Sequence, residues 1–237
     1  MESTTEFLVP LLQIILIDIV LSGDNAVVIA LACRSLPRHQ QRMGIFLGAG
    51  AAVLLRLIFA AFVLYLMEVP YLKIVGGILL FWIGYKLMLP EDGHDGEGVG
   101  SAGSLWSAIR IILVADAVMS LDNVVAVAAA AKGDFVLLMI GLAISIPLVV
   151  YGSQIMMTLM GRFPIIITLG GALIGYIGGD IMVSDPAIVG WVNLQAPWLH
   201  IVLPAAGVAG VVLAGKIAGG RMTRRRLAAR EIQLVKD

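Results

Sequence analysis

The chain has 237 residues, 60% of them hydrophobic and 14% charged, with a mean hydropathy of +1.00. Soluble domains carry roughly 25% charged residues; here the deficit runs the whole length, which excludes an ordinary soluble domain and points to several membrane spans. Equal numbers of basic and acidic residues, 16 each, remove any global field for nucleic acid, and one cysteine, Cys33, excludes an intramolecular disulfide and a thiolate cluster for a soft metal.

The N-terminal stretch MESTTEFLVP carries Glu2 and Glu6 and no Lys or Arg. It lacks the basic n-region of a secretory signal, so the first apolar stretch is expected to be kept as a span. Seven apolar segments follow in order, at 7–32, 43–67, 71–89, 105–131, 134–157, 164–184 and 198–218. Each is near the ~20 residues that cross a bilayer. They are long continuous runs, not the ten-residue alternating segments of a barrel. The expected fold class is therefore all-α: one polytopic transmembrane domain over residues 1–237, of about seven helices, with a basic tail at 219–237.

Basic residues orient it. Arg34, Arg38 and Arg42 lie between segments one and two, Arg162 between five and six, and Arg221, Arg224, Arg225, Arg226 and Arg230 after segment seven. All fall on one face if the spans alternate, and the other face has little beyond Lys73 and Lys132. The positive-inside rule then puts the N-terminus outside and the C-terminus in the cytoplasm, as a multi-pass protein of a bacterial inner membrane. The long polar loop from Pro90 to Ser104 reads as a solvated Gly-rich linker, with a weak metal-collecting loop of Glu91, Asp92, His94, Asp95 and Glu97 as the alternative.

Two stretches of the chain repeat. Asp18-Ile-Val-Leu-Ser22-Gly-Asp24-Asn25 recurs 98 residues later as Asp116-Ala-Val-Met-Ser120-Leu-Asp122-Asn123. Pro70, Gly76, Gly77, Ile83 and Gly84 recur 94 residues later as Pro164, Gly170, Gly171, Ile177 and Gly178. Residues 7–89 and 105–184 thus form two three-span repeats, and segment seven is left over, to cover one side of the bundle or to make a contact between copies. Three spans per unit force the copies into opposite orientations, the inverted 3+3 architecture whose substrate site lies near the midplane. The paired glycines are read as packing, since small residues let helices approach closely.

The carboxylates are read differently. Asp18, Asp24, Asp116 and Asp122 all lie well inside expected spans. An ionised Asp at the bilayer centre costs ~2.5 kcal/mol or more, so such residues mark ion or substrate paths. Asp18, Ser22 and Asn25 share one helical face, whereas Asp24 points roughly 240° from Asp18 in an unbroken helix. All four converge only if the helix loosens at Gly23, which would also free backbone carbonyls as ligands. Leu121 stands at that place in the second repeat. Carboxylate, amide and hydroxyl oxygens suit Mg, Ca and Mn rather than Zn or Cu. His39, His94 and His200 lie away from the motifs, and Met119 beside Ser120 is read as packing rather than a softer ligand.

Arg56, mid-way along segment two, is too deep to snorkel and is expected to pair with one of the aspartates, either to reset the site's charge when metal leaves or as a structural ion pair. Asp180, toward the outer end of segment six, and Lys86, at the equivalent place in segment three, are candidates to line vestibules or to face headgroups.

The motif Ser22-Gly23-Asp24-Asn25-Ala26 after Asp18, its echo Ser120-Leu121-Asp122-Asn123 after Asp116, and the run Gly141-Leu-Ala-Ile-Ser145-Ile-Pro147 resemble the TerC family of integral membrane proteins. The length of about seven spans is similar to its YjbE-type or YkoY-type branch. The resemblance implies a fold related to the LysE superfamily and, for several members, manganese export. It implies metal residues at Asp18, Asp24, Asn25, Asp116, Asp122 and Asn123, with Ser22, Ser120, Arg56 and Asp180 as secondary candidates. The family's link to tellurite says little about substrate, because four aspartates repel an anion.

The leading expectation is a Mn²⁺ exporter working by alternating access, with no organic cofactor. The alternatives are a LysE-like exporter of an organic cation and a membrane scaffold that supplies metal to extracytoplasmic enzymes. An enzyme is not expected: the chain shows no nucleophile–base pair, phosphate loop or His-Glu-x-x-His motif.

Overall fold

The computed structural model describes residues 2–21, 23–89, 104–131 and 134–234; the side chains of 2–7, 19–21, 63–68, 122, 128 and 223–234 lie outside that description. Among the described residues every regular element is an α-helix: α1 Glu2–Leu21, α2 Gly23–Cys33, α3 Arg38–Glu68, α4 Leu72–Met88, α5 Leu105–Ala130, α6 Phe135–Arg162, α7 Ile165–Val183, α8 Val189–Gln195 and α9 Leu199–Leu234. Helix is what lipid demands, since each backbone N–H and C=O must be satisfied within its own segment.

The seven apolar segments map onto these helices with two changes. The first segment is two helices, α1 and α2, whose axes differ by 47°. The last span and the basic tail form one helix of 36 residues. Four helices are long and apolar enough to cross a bilayer, in α3, α6, α7 and α9, and the bent α1–α2 pair makes a fifth if it counts as one span. Helix α4 has 17 residues, short of the ~20 that cross unaided. Residues 90–103, nearly all of the polar loop, lie outside the described residues, and Ser104 at its end caps α5 by accepting from Ser107 N at 3.2 Å.

Packing follows the small residues. A Cβ on Gly77 of α4 would overlap Met182 and the Gly178 carbonyl of α7, and a Cβ on Gly171 of α7 would stand 2.6 Å from Met88 of α4. Gly141 of α6 receives Ile14 of α1, and Gly48 of α3 receives Ile112 of α5. Helix α9 lies on α7 backbone to backbone: a Cβ on Gly175 would be 2.5 Å from the Gly207 carbonyl oxygen, and one on Gly179 2.5 Å from that of Leu203. With no apolar driving force between helices in lipid, such close approach is what association rests on. The apolar core runs through Ile29, Leu31, Ile45, Leu80, Ile83, Ile112 and Ile174, while Ile14, Leu137 and Leu142 form a second cluster beside α1. Met119 is buried in the main cluster, as packing.

Candidate functional site

One ion cluster sits inside this bundle. Arg56, on α3, is 3% exposed. Its Nη1 donates to Asp18 Oδ1 on α1, its Nη2 donates to Asp116 Oδ1 on α5 at 2.8 Å, and its Nε donates to Ser120 Oγ at 3.2 Å. Asp18 is 1%, Asp116 4% and Ser120 0% exposed. The guanidinium thus joins the first aspartate of one motif to the first aspartate of its echo. Arginine suits the task because its planar fork presents donors in several fixed directions at once. Asp116 and Ser120 sit one turn apart on α5, so one arginine reaches both.

Polar capacity remains. Asp116 Oδ2 and both side-chain polar atoms of Asn25, itself 5% exposed, have no hydrogen-bond partner among the described residues. Native interiors pair the great majority of such atoms. Asn25 is in the first turn of α2, where the bent junction with α1 brings it into the bundle. Asp24, half-buried at the same turn, accepts from Asn25 N at 2.8 Å through Oδ1 and lies within electrostatic reach of Arg56 and Asp116.

The sequence-derived residues divide accordingly. Asp18, Asp116, Ser120 and Arg56 converge; among the described residues Arg56 pairs with two aspartates, where the sequence pointed to one. Asn25 is buried and Asp24 half-buried at the break, which falls where Gly23 predicts it, while α5 runs on unbroken through Leu121. Asn123 is half-buried on α5. Ser22 and the side chain of Asp122 lie outside the described residues. Asp180 is exposed on α7, away from the cluster, and Lys86 lies over the Trp82 ring at 5.1 Å. No group of three or more His, Cys, Asp or Glu side chains converges among the described residues.

One buried carboxylate escapes sequence reasoning. Asp185, fully buried just beyond α7, accepts from Tyr71 N at 2.9 Å, Lys73 N at 3.0 Å, Ile74 N at 3.2 Å and Ala187 N at 2.8 Å. It satisfies the first turn of α4 from more than a hundred residues away, next to Tyr71, whose φ of 66° is left-handed. Burial alone would push its carboxyl up; the N–H groups of Ala187, Tyr71, Ile74 and Lys73 outweigh that and hold it below the usual carboxylate range. The signal was the tripeptide Ser184-Asp185-Pro186, a turn signature.

Comparison with known proteins gives the family. The profile of the "Integral membrane protein TerC family" matches residues 3–224. The chain belongs to the TerC family. The membrane protein YjbE of Bacillus subtilis is 41% identical over 88% of this chain and 94% of its own length. YceF of the same organism is 25% identical over 70% of this chain and 67% of its own length. The inner membrane protein YoaE of Escherichia coli is 24% identical over 67% of this chain, which is 34% of that protein. No solved structure matches the chain. This TerC-family chain is an integral, multi-pass membrane protein, and its buried Arg56 cluster lies at its repeated motif.

Proposed function

We propose that this TerC-family protein exports a divalent metal cation, Mn²⁺ first among the candidates, by alternating access at the Asp/Asn site between two inverted three-helix halves. The observation that carries the reading is the clasp of Arg56 on Asp18 and Asp116. It is a site arranged around positive charge, with one carboxylate from each motif, deep in the protein. Cations in such a place recruit carboxylates, and intramembrane carboxylates mark ion paths.

The donor set supports a hard or borderline divalent ion. Asp116 Oδ2 in the clasp and the Asn25 amide oxygen beyond it have no hydrogen-bond partner among the described residues, and Asp24, next to Asn25 in the chain, lies within electrostatic reach of Arg56 and Asp116. Oxygen donors of this kind fit Mn²⁺, Mg²⁺ and Ca²⁺. The metal is cargo here, and Arg56 is the residue that balances the carboxylates between loads.

The inverted repeat is supported by reciprocal packing. Gly77 meets Met182 as Gly171 meets Met88, and each pair of equivalent residues is 94 apart. Such reciprocity is what a two-fold relation between α4 and α7 produces. The bent α1–α2 junction, with a half-helix beginning at Gly23, is the kind of broken helix that transporter sites use. The N-terminus is assigned to the outside and the basic C-terminal tail to the cytoplasm.

The test is Mn²⁺ flux in proteoliposomes, wild type beside Asp24→Asn and Asp116→Asn, with and without an imposed pH gradient. Flux that dies in both variants, in protein that still inserts, is the expected result. Wild-type flux in both removes the site assignment. Mn²⁺ binding with no flux in the wild type turns the reading to a metal-holding scaffold.

A further inference from the structure

Helix α9 has no counterpart in the repeat, and its seating is lopsided. On α7 it rests on Gly175 and Gly179. The residues 94 positions earlier on α4 are Phe81 and Tyr85. Where α7 offers bare backbone, α4 offers two aromatic rings along the same line; α9 touches the Phe81 ring at Gly207 and packs on Gly84 and Met88 through Val211 and Gly215. A cleft of about 360 Å³ lies between α4 and α9, floored by Gly207 and flanked by Phe81, Trp82, Leu203 and Gly210. It continues past Tyr85 and Ala214 into a second hollow of about 450 Å³ that ends at Arg221.

The walls are apolar along the cleft and cationic at one end. Trp82, Ala206, Gly210 and Ala214 are exposed, so the cleft opens outward from the bundle. At its far end Arg221 lines the hollow, and Lys86 stands over Trp82, one residue from Tyr85. From Leu203 to Arg221 α9 rises about 27 Å, close to the ~30 Å thickness of a bilayer's hydrocarbon. An occupant with its charged end at Arg221 therefore lies in the half of the cleft nearer that end, apolar over about one leaflet and anionic at one end. Basic pockets between membrane helices recognise anionic headgroups in this way.

We propose that the α4–α9 cleft is a binding site for an anionic phospholipid, with an acyl chain lying on Phe81, Trp82 and Gly210 and the phosphate held by Lys86 and Arg221. Tyr85, which lines both hollows and precedes Lys86 in the chain, supplies an aromatic platform for the headgroup region. The site is independent of the Arg56 cluster, and its lipid is not the cargo.

The test uses the full chain in nanodiscs and in detergent, with dioleoyl phosphatidylglycerol and dioleoyl phosphatidylcholine as probes, read by native mass spectrometry. Two variants separate head from tail. Lys86→Ala/Arg221→Ala removes the charge. Gly210→Trp is placed to fill the cleft, since a Cβ on Gly210 meets nothing within 4 Å and a side chain can leave the helix there. The wild type is expected to retain phosphatidylglycerol over phosphatidylcholine. The double variant is expected to lose roughly thirtyfold of that preference, about fivefold per basic residue, and Gly210→Trp to lose retention of both lipids. Equal retention of the two lipids by the wild type, or an unchanged preference in the double variant, overturns the proposal. So does a dimer mass that Gly210→Trp dissolves, which would make the cleft a contact between copies.

Discussion

Replacing Arg56 with methionine tests the clasp most directly. Methionine keeps an unbranched apolar stem of similar reach, while the guanidinium and its donations to Asp18, Asp116 and Ser120 are lost. Two carboxylates that are 1% and 4% exposed then share one pocket with no cation between them. Removing one partner of a buried ion pair costs about 3–5 kcal/mol, because the other charge stays buried and uncompensated. Arg56→Met is therefore expected to unfold in detergent at a clearly lower temperature than the wild type. Mn²⁺ should then recover part of the loss: a ligand at a hundredfold excess over its Kd stabilises by about 2.7 kcal/mol. On the proposed metal site, the wild-type guanidinium would compete for the same oxygens, so the Mn²⁺ shift should be smaller in the wild type. Arg56→Met/Asp116→Asn removes one negative charge along with the positive one, and is expected to regain stability without metal while losing most of the Mn²⁺ shift. The assay is thermal unfolding of purified protein with and without Mn²⁺. Equal Mn²⁺ shifts in wild type and Arg56→Met would falsify the idea that arginine and metal use the same carboxylates. A double variant as unstable as the single one would show that lost packing, not unbalanced charge, is the cost.

Asp185→Ala should cost ~2 kcal/mol or more, since it orphans the N–H groups of Tyr71, Lys73 and Ile74 at the start of α4; thermal unfolding checks this, and a loss no larger than that of an exposed Asp134→Ala cap would remove the clamp. The same residue has a pH signature. Its folded carboxyl lies below the ordinary range, so its stabilisation is fully present above the unfolded value of ~3.9 and fades as pH falls through the lower, folded value. Wild type should therefore lose more stability on acidification below about pH 4 than Asp185→Asn, and parallel curves would contradict it. Gly175→Leu should detach α9 from α7, because even a Cβ there is 2.5 Å from the Gly207 carbonyl oxygen; faster proteolysis in the α7–α9 connection is the readout, and wild-type resistance would show that α9 can shift to make room.

Much of this protein is legible in the residues alone. Apolar run length dictates helices in lipid, because only a helix closes its own hydrogen bonds there. The repeated Asp, Ser, Asp and Asn flag a candidate site, because a carboxylate inside a span is costly, and of these the structure gathers Asp18, Asp116 and Ser120 at Arg56. Gly23 marks where the first helix bends, and Leu121 where its copy does not. Arg56 is visible as a deep charge in search of a partner. The tertiary structure decided its partners: among the described residues, two aspartates, one from each motif, joined through a third helix. No spacing along the chain encodes a meeting of residues 38 and 60 positions apart. It also decided that Asp185 caps α4 across 112 residues. And it set α9 against the glycines of α7, with Gly207 also against the Phe81 ring of α4. Local sequence fixes which groups must be satisfied; which distant group satisfies them depends on how the helices pack, and in lipid that is settled by side-chain volume at each crossing.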